Sequence, residues 1–145
     1  MKASNLNLKI KSQTEKLSLV REFVSEAARE FGFDDESVNK IALAVDEACT
    51  NIIKHSYEFA SNKDIEIMIV TNNGKFEVVI SDQGKGFDPE MVKVPDMREY
   101  LSKYKKGGLG MYLMRSLMDK VEYKISRGKK NEVHLVKSLP VKVPR

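Results

Sequence analysis

Two β-branched runs, Ile65–Val70 and Phe76–Ile80, flank the segment Thr71-Asn-Asn-Gly74, and no other feature of the chain leaves so few ways to fold. An Asn-Gly pair supplies the positive φ angles of a tight turn, so the two runs are predicted to pair as adjacent antiparallel strands. The centre of the chain is therefore a hairpin, and the rest must cover it or extend it.

Upstream, Leu6, Leu8 and Ile10 alternate with Asn5, Asn7, Lys9 and Lys11, the period of a half-buried strand. Ser12-Gln-Thr-Glu15 matches a capping box. Leu17, Val20, Phe23, Val24, Ala27, Ala28 and Phe31 follow at helical spacing until Gly32 ends the run. A second start signal at Asp34–Asp35 predicts a long helix over about 37–59, with Val38, Ile41, Val45, Cys49, Ile52 and Ser56 along one side.

Downstream, periodicity lapses from Gln83 to Gly110, apart from a short helix expected over 96–102. So long an irregular stretch inside a compact domain is usually functional. Leu109, Tyr112, Leu113 and Leu117 restore a helical pattern, and Val121–Ser126 with Val133–Lys137 form a closing hairpin across Arg127–Asn131. The predicted order is β-α-α-β-β-lid-α-β-β. It describes an α/β (α+β) two-layer sandwich, with helices on one face of a mixed, mostly antiparallel sheet.

With 145 residues, the chain fits one domain. At 41% hydrophobic and 32% charged it has no apolar run of membrane-spanning length, and its N-terminus lacks the compact apolar stretch of a signal peptide. A cytoplasmic protein without a membrane partner is expected, and a single cysteine, Cys49, agrees with a reducing compartment. The net charge of +4 is spread along the chain, without aromatic-interleaved basic strands or zinc-ligand spacing, which argues against direct nucleic-acid binding. Two distant histidines, His55 and His134, do not make a zinc site, and Cys49 falls on the core side of its helix.

Three clusters could carry chemistry. On the long helix, Glu47 and Asn51 lie one turn apart, away from the apolar side, and pair a general base with a hard oxygen ligand suited to Mg²⁺; taken alone, such a face is more often simply solvated. Asp82-Gln-Gly84-Lys-Gly86-Phe87 follows a strand end, offering an acceptor for a base or sugar and glycines that admit a ligand, or alternatively a plain Asp-Gly turn. Gly107-Gly-Leu-Gly110 opens a helix, where free N–H groups attract phosphate, but it fits neither the dinucleotide-binding nor the P-loop pattern and reads equally as a hinge.

Together, in this order, the clusters resemble a known set. Val45–Tyr57 resembles the N box, Asp82–Phe87 the first glycine box and Gly107–Asp119 the second glycine box of the GHKL clan: gyrase, Hsp90, histidine kinase and MutL ATPases. The likeness is greatest to its small anti-sigma-factor serine/threonine protein kinases and spans nearly the whole chain. It implies the Bergerat ATP-binding fold, with ATP and Mg²⁺ as cofactors and an ATP lid over about 88–107. By the same resemblance Glu47 is the base for the attacking hydroxyl and Asn51 the magnesium ligand. Asp82 takes the adenine amino group beside Gly84 and Gly86, while Lys54, Gly108, Leu109 and Gly110 lie near phosphate.

The partners so implied are a STAS-domain anti-sigma-factor antagonist, which is phosphorylated, and an RNA polymerase sigma factor, which is sequestered. A homodimer through the N-terminal strand and first helix is also raised. The rival reading is an ATP-binding regulator that sequesters a protein without phosphoryl transfer.

Overall fold

The computed structural model describes residues 4–88, 115–126 and 129–140. Strand β1 (Ser4–Lys11) leads through a 3₁₀ turn (Thr14–Lys16) to helix α1 (Leu17–Phe31) and helix α2 (Asp35–Asn51). Strands β2 (Asp64–Asn72), β3 (Lys75–Asp82), β4 (Lys120–Lys124) and β5 (Asn131–Ser138) complete the described elements. The sheet order is β1-β2-β3-β5-β4, and every described pairing is antiparallel, so the parallel component allowed for in a mixed sheet does not occur among these strands.

Register follows from the need to place one apolar set on one face. Leu8 pairs with Ile67, Ile67 with Ile80, Ile80 with Val133 and Val133 with Tyr123, a row that crosses all five strands. On the same face lie Ile65, Ile69 and Val78, all essentially buried beneath α1 and α2. The helices contribute Val20, Val24, Val38, Ile41 and Val45, each fully buried. Phe31, Phe33 and Phe76 form a ring cluster with centroids 5.7–5.8 Å apart under the end of α1. That end is closed as predicted by Gly32 at φ +117°, whose N–H and that of Phe33 both reach the Ala28 carbonyl. The hairpin turn is also as expected: Asn73 and Gly74 take φ +49° and +79°.

Two predicted features come out differently. Ser12 does not cap α1; its hydroxyl donates to the Ala60 carbonyl and accepts from Lys63 N–H at 3.1 Å, tying the end of β1 to the loop before β2. The 3₁₀ turn has Gln13 at its N-cap, whose side chain makes no cap bond and donates instead to the Ser61 carbonyl at 3.1 Å. The long helix does not run unbroken to Phe59: it is α-helical to Asn51, then makes a π turn over Ile52–Ser56. Of the last predicted helix only residues 115–117 are described, and they are helical; the short helix over 96–102 and nearly all of the lid over 88–107 lie outside the described residues. Among the described residues no helix is long and apolar enough to cross a membrane.

Candidate functional site

Helix α2 starts on Asp34, whose side chain accepts from Ser37 N–H at 2.8 Å; this bond holds the Asp34 carboxyl below the usual range. Its apolar stripe locks it against the sheet and α1, leaving Glu47 half-buried and bringing Asn51 to 3% exposure at its last turn. The two are four residues apart on a regular helix, so they share one side of it. At Ile52 the hydrogen bonding widens, with Tyr57 N–H bonded to the Ile52 carbonyl at 2.9 Å. A π turn shifts the phase of every side chain after it and recurs at functional sites. Lys54 stays half-exposed within this turn, and Ser56 is carried inward to 3% exposure.

Ser56 meets the second cluster there. Asp82 closes β3 at 5% exposure, and its Oδ1 accepts from Ser56 Oγ, from Gly84 N–H at 2.8 Å and from Asn131 Nδ2 at 3.1 Å. Ser56 Oγ accepts in turn from Gly86 N–H at 3.0 Å, and the Ser56 carbonyl from Lys85 N–H at 3.1 Å. Tyr57 adds a parallel tie: its hydroxyl accepts from Gln83 N–H at 2.9 Å and donates to the Asp64 carbonyl. A buried carboxylate held by three donors has a fixed orientation, because moving it would strand each of them.

The glycines have separate reasons. A Cβ at Gly84 would lie 2.6 Å from the Ser56 carbonyl oxygen and 2.8 Å from its carbon, so the close approach here is that of the Ser56 backbone. Gly86 sits at φ +74°, where a Cβ would meet Ile125 at 3.0 Å and Asn131 Oδ1 at 3.1 Å. Beside it a small cavity of about 10 Å³ is lined by Asp82, Asn131, Ile52, Phe87 and Tyr123 among others. Phe87 bridges the rings of His55 and Tyr123, with centroids 5.5 and 5.8 Å away. Burial pushes the Tyr123 hydroxyl up; it pushes His55 down, aided by Lys54 and Lys85, so the imidazole is neutral near pH 7.

Of the residues singled out in the sequence, Glu47, Asn51 and Lys54 occupy one helical element, and Asp82, Gly84 and Gly86 one strand end. The π turn joins the two groups through Ser56. Gly108, Leu109 and Gly110 lie outside the described residues. Sequence reasoning missed Ser56, Tyr57 and Asn131. A serine closing an otherwise apolar stripe was the available signal for Ser56, since a buried hydroxyl needs a partner.

A family model described as a histidine kinase-like ATPase domain matches residues 10–137. The chain belongs to that family. Its relatives include the serine-protein kinase RsbW of Bacillus subtilis, 32% identical over 124 residues that cover 82% of this chain and 77% of the relative. RsbW of Listeria monocytogenes is 32% identical over 127 residues, covering 85% and 81%. The chain is thus an enzyme of the serine kinase branch of the histidine kinase-like ATPases. Solved structures carry the same fold. A Mycobacterium tuberculosis chain with RsbU and RsbW domains aligns with TM-score 0.65 at 18% identity, covering 98% of this chain and 35% of that one. The SiaB–SiaC complex of Pseudomonas aeruginosa gives TM-score 0.66 at 9% identity, covering 90% and 88%.

Proposed function

We propose that this kinase is ATP- and Mg²⁺-dependent, acts in the cytoplasm on a serine or threonine of a STAS-domain antagonist, and serves as an anti-sigma factor. In this reading it sequesters an RNA polymerase sigma factor, working as a homodimer, and releases it by partner switching. The observation that supports it most is the continuity of one element: Glu47 and Asn51 on α2 lead through the π turn to Ser56, which is bonded to Asp82.

Each residue has a part in that reading. Asp82 accepts from the amino group of adenine with the oxygen that its three donors leave open. The amide oxygen of Asn51 would hold Mg²⁺, an ion that takes few protein ligands; the pairing of a buried amide with a neighbouring carboxylate fits it. When bound, the metal supplies neutralisation of phosphate charge. Glu47 orients the protein hydroxyl and takes its proton. Lys54 and the backbone N–H groups of Gly108, Leu109 and Gly110 hold the phosphates. Phosphoryl transfer needs mainly positioning and charge neutralisation, so no covalent intermediate on the protein is required.

Incubation of the protein with labelled ATP, Mg²⁺ and candidate STAS proteins tests this. Glu47→Gln is expected to keep ATP binding and to slow transfer by about 10²–10⁴-fold. Undiminished transfer would remove Glu47 as the base. Label on no partner, despite measured ATP binding, would favour a regulator that sequesters its partner without phosphoryl transfer.

A further inference from the structure

The two edges of the sheet are defended unequally. At one edge β4 is five residues long, Lys-Val-Glu-Tyr-Lys, with its lysines exposed. Shortness and edge lysines are what keep a strand from pairing with another chain. At the other edge β1 runs for eight residues, Ser-Asn-Leu-Asn-Leu-Lys-Ile-Lys, without proline. Its register with β2 is unbroken from Ser4–Thr71 to Lys11–Asp64, so no bulge turns it away. Its two lysines stand at the far end, and residues 4–8 carry no charge. Among the described residues no strand pairs with its outer side, whose backbone N–H and C=O groups form a template for a further strand.

The same side of the molecule exposes apolar side chains. Leu6, on the helix-covered face, is 43% exposed. Helix α2 packs over β3 and β5 and α1 over β2, so the flank of α1 turned from α2 lies on the β1 side. Arg21 marks the flank towards α2 through its bond to Asp46; at 100° per residue, Leu19 and Phe23 fall on the other. Leu19 is 49% exposed and Phe23 half-buried.

We propose that β1 pairs antiparallel, about a two-fold axis, with β1 of a second copy of this chain, merging the two sheets into one. This gives the homodimer of the reading above its geometry, and rests on that reading. A two-fold axis perpendicular to the sheet keeps each face on its own side, so opposed residues share a face. In any register centred between Leu6 and Leu8, Leu6 therefore meets Leu6, Leu8 or Ile10 of the second copy. Each lysine meets an asparagine or lies beyond the pairing, so no like charges are opposed. A second copy also brings its own α1 flank to the edge and covers Leu19 and Phe23, which an isolated strand from another protein would leave in water. The joined sheet ends on β4 at both sides, and no undefended edge remains.

Sedimentation of the whole chain over a concentration series, with Leu6→Lys beside the wild type, tests the pairing. The wild-type protein is expected to dimerise reversibly. Leu6→Lys should raise the dimer dissociation constant at least about tenfold, because a charge set inward at an edge blocks pairing. Spin labels at Lys124→Cys read the geometry with β1 intact, whether or not the first variant folds; Cys49 is buried and takes no label. Nine strand spacings of about 4.8 Å put the two labels about 40 Å apart. A dimer whose labels lie within about 25 Å of each other, or one that a folded Leu6→Lys leaves as tight as before, overturns edge pairing while the homodimer stands. A wild-type chain that stays monomeric at every concentration would instead remove the homodimer itself.

Discussion

Strands β3 and β5 carry a polar cluster on each of their two faces, and the two behave differently. On the helix-covered face, Asp82 and Asn131 are 5% and 2% exposed and exchange bonds with Ser56 and Gly84. On the opposite face, His134 is flanked by Glu77 at 3.0 Å and Glu132 at 3.1 Å, with side chains 15%, 33% and 24% exposed. The chemistry is similar, a carboxylate and a nitrogen donor across two strands. Water separates them. Partial screening leaves the half-buried His134 cluster a smaller cross-strand tie, whereas full burial makes each missing partner in the Asp82 cluster costly and so fixes its geometry. Only the second can hold an acceptor in place for a ligand.

That contrast can be broken from its strong side first. Gly84→Ala drives a methyl group into the Ser56 backbone, which has no flexible end to move, and should cost about 3 kcal/mol in denaturant unfolding. A loss well under 1 kcal/mol would mean the junction is not rigid. Ser56→Ala removes one donor from Asp82 and the acceptor of Gly86 N–H. It should cost about 2 kcal/mol and weaken ATP binding as well; stability loss with unchanged affinity would separate the network from the ligand.

His134→Gln, in the half-buried cluster, should cost less than about 1 kcal/mol at neutral pH. Its informative readout is acid sensitivity. The hydrogen bond from His134 holds the Glu132 carboxyl below its ordinary value of 4.5. A carboxyl depressed in the folded state stabilises fully above that value and loses its contribution as pH falls below it. The variant should therefore unfold less steeply with acid in this range, and an identical slope would show that the pair contributes nothing.

Much of the frame was legible in the residues. Asn73-Gly74 announced the central hairpin, Gly32 the end of α1, and Asp82 its place at a strand terminus. Glu47 and Asn51 were readable as a pair because helical spacing is a local property. The binding partners of Asp82 were not. Ser56 is 26 residues away and Asn131 is 49, and neither periodicity nor turn chemistry reaches so far. The π turn escaped for a related reason: Ile52-Ile-Lys-His-Ser56 reads as ordinary amphipathic helix, and only the demand of the Asp82 cluster selects the wider turn. Ser12 misled because the loop at Ala60–Lys63 competes for the hydroxyl that a helix cap would use.

That wider turn makes the site depend on counting as well as on chemistry. A π turn accommodates one residue more than the α-helix around it. Deleting any one residue between Ile52 and His55 would let the helix close into regular form, leaving Glu47, Asn51, Ser56 and Asp82 all present in the sequence. Ser56 would then lose its alignment with the strand end, and the half of the site on α2 would fall out of step with the half at the end of β3. A relative of this kinase could keep every recognisable box and still be disconnected by the loss of a single backbone unit.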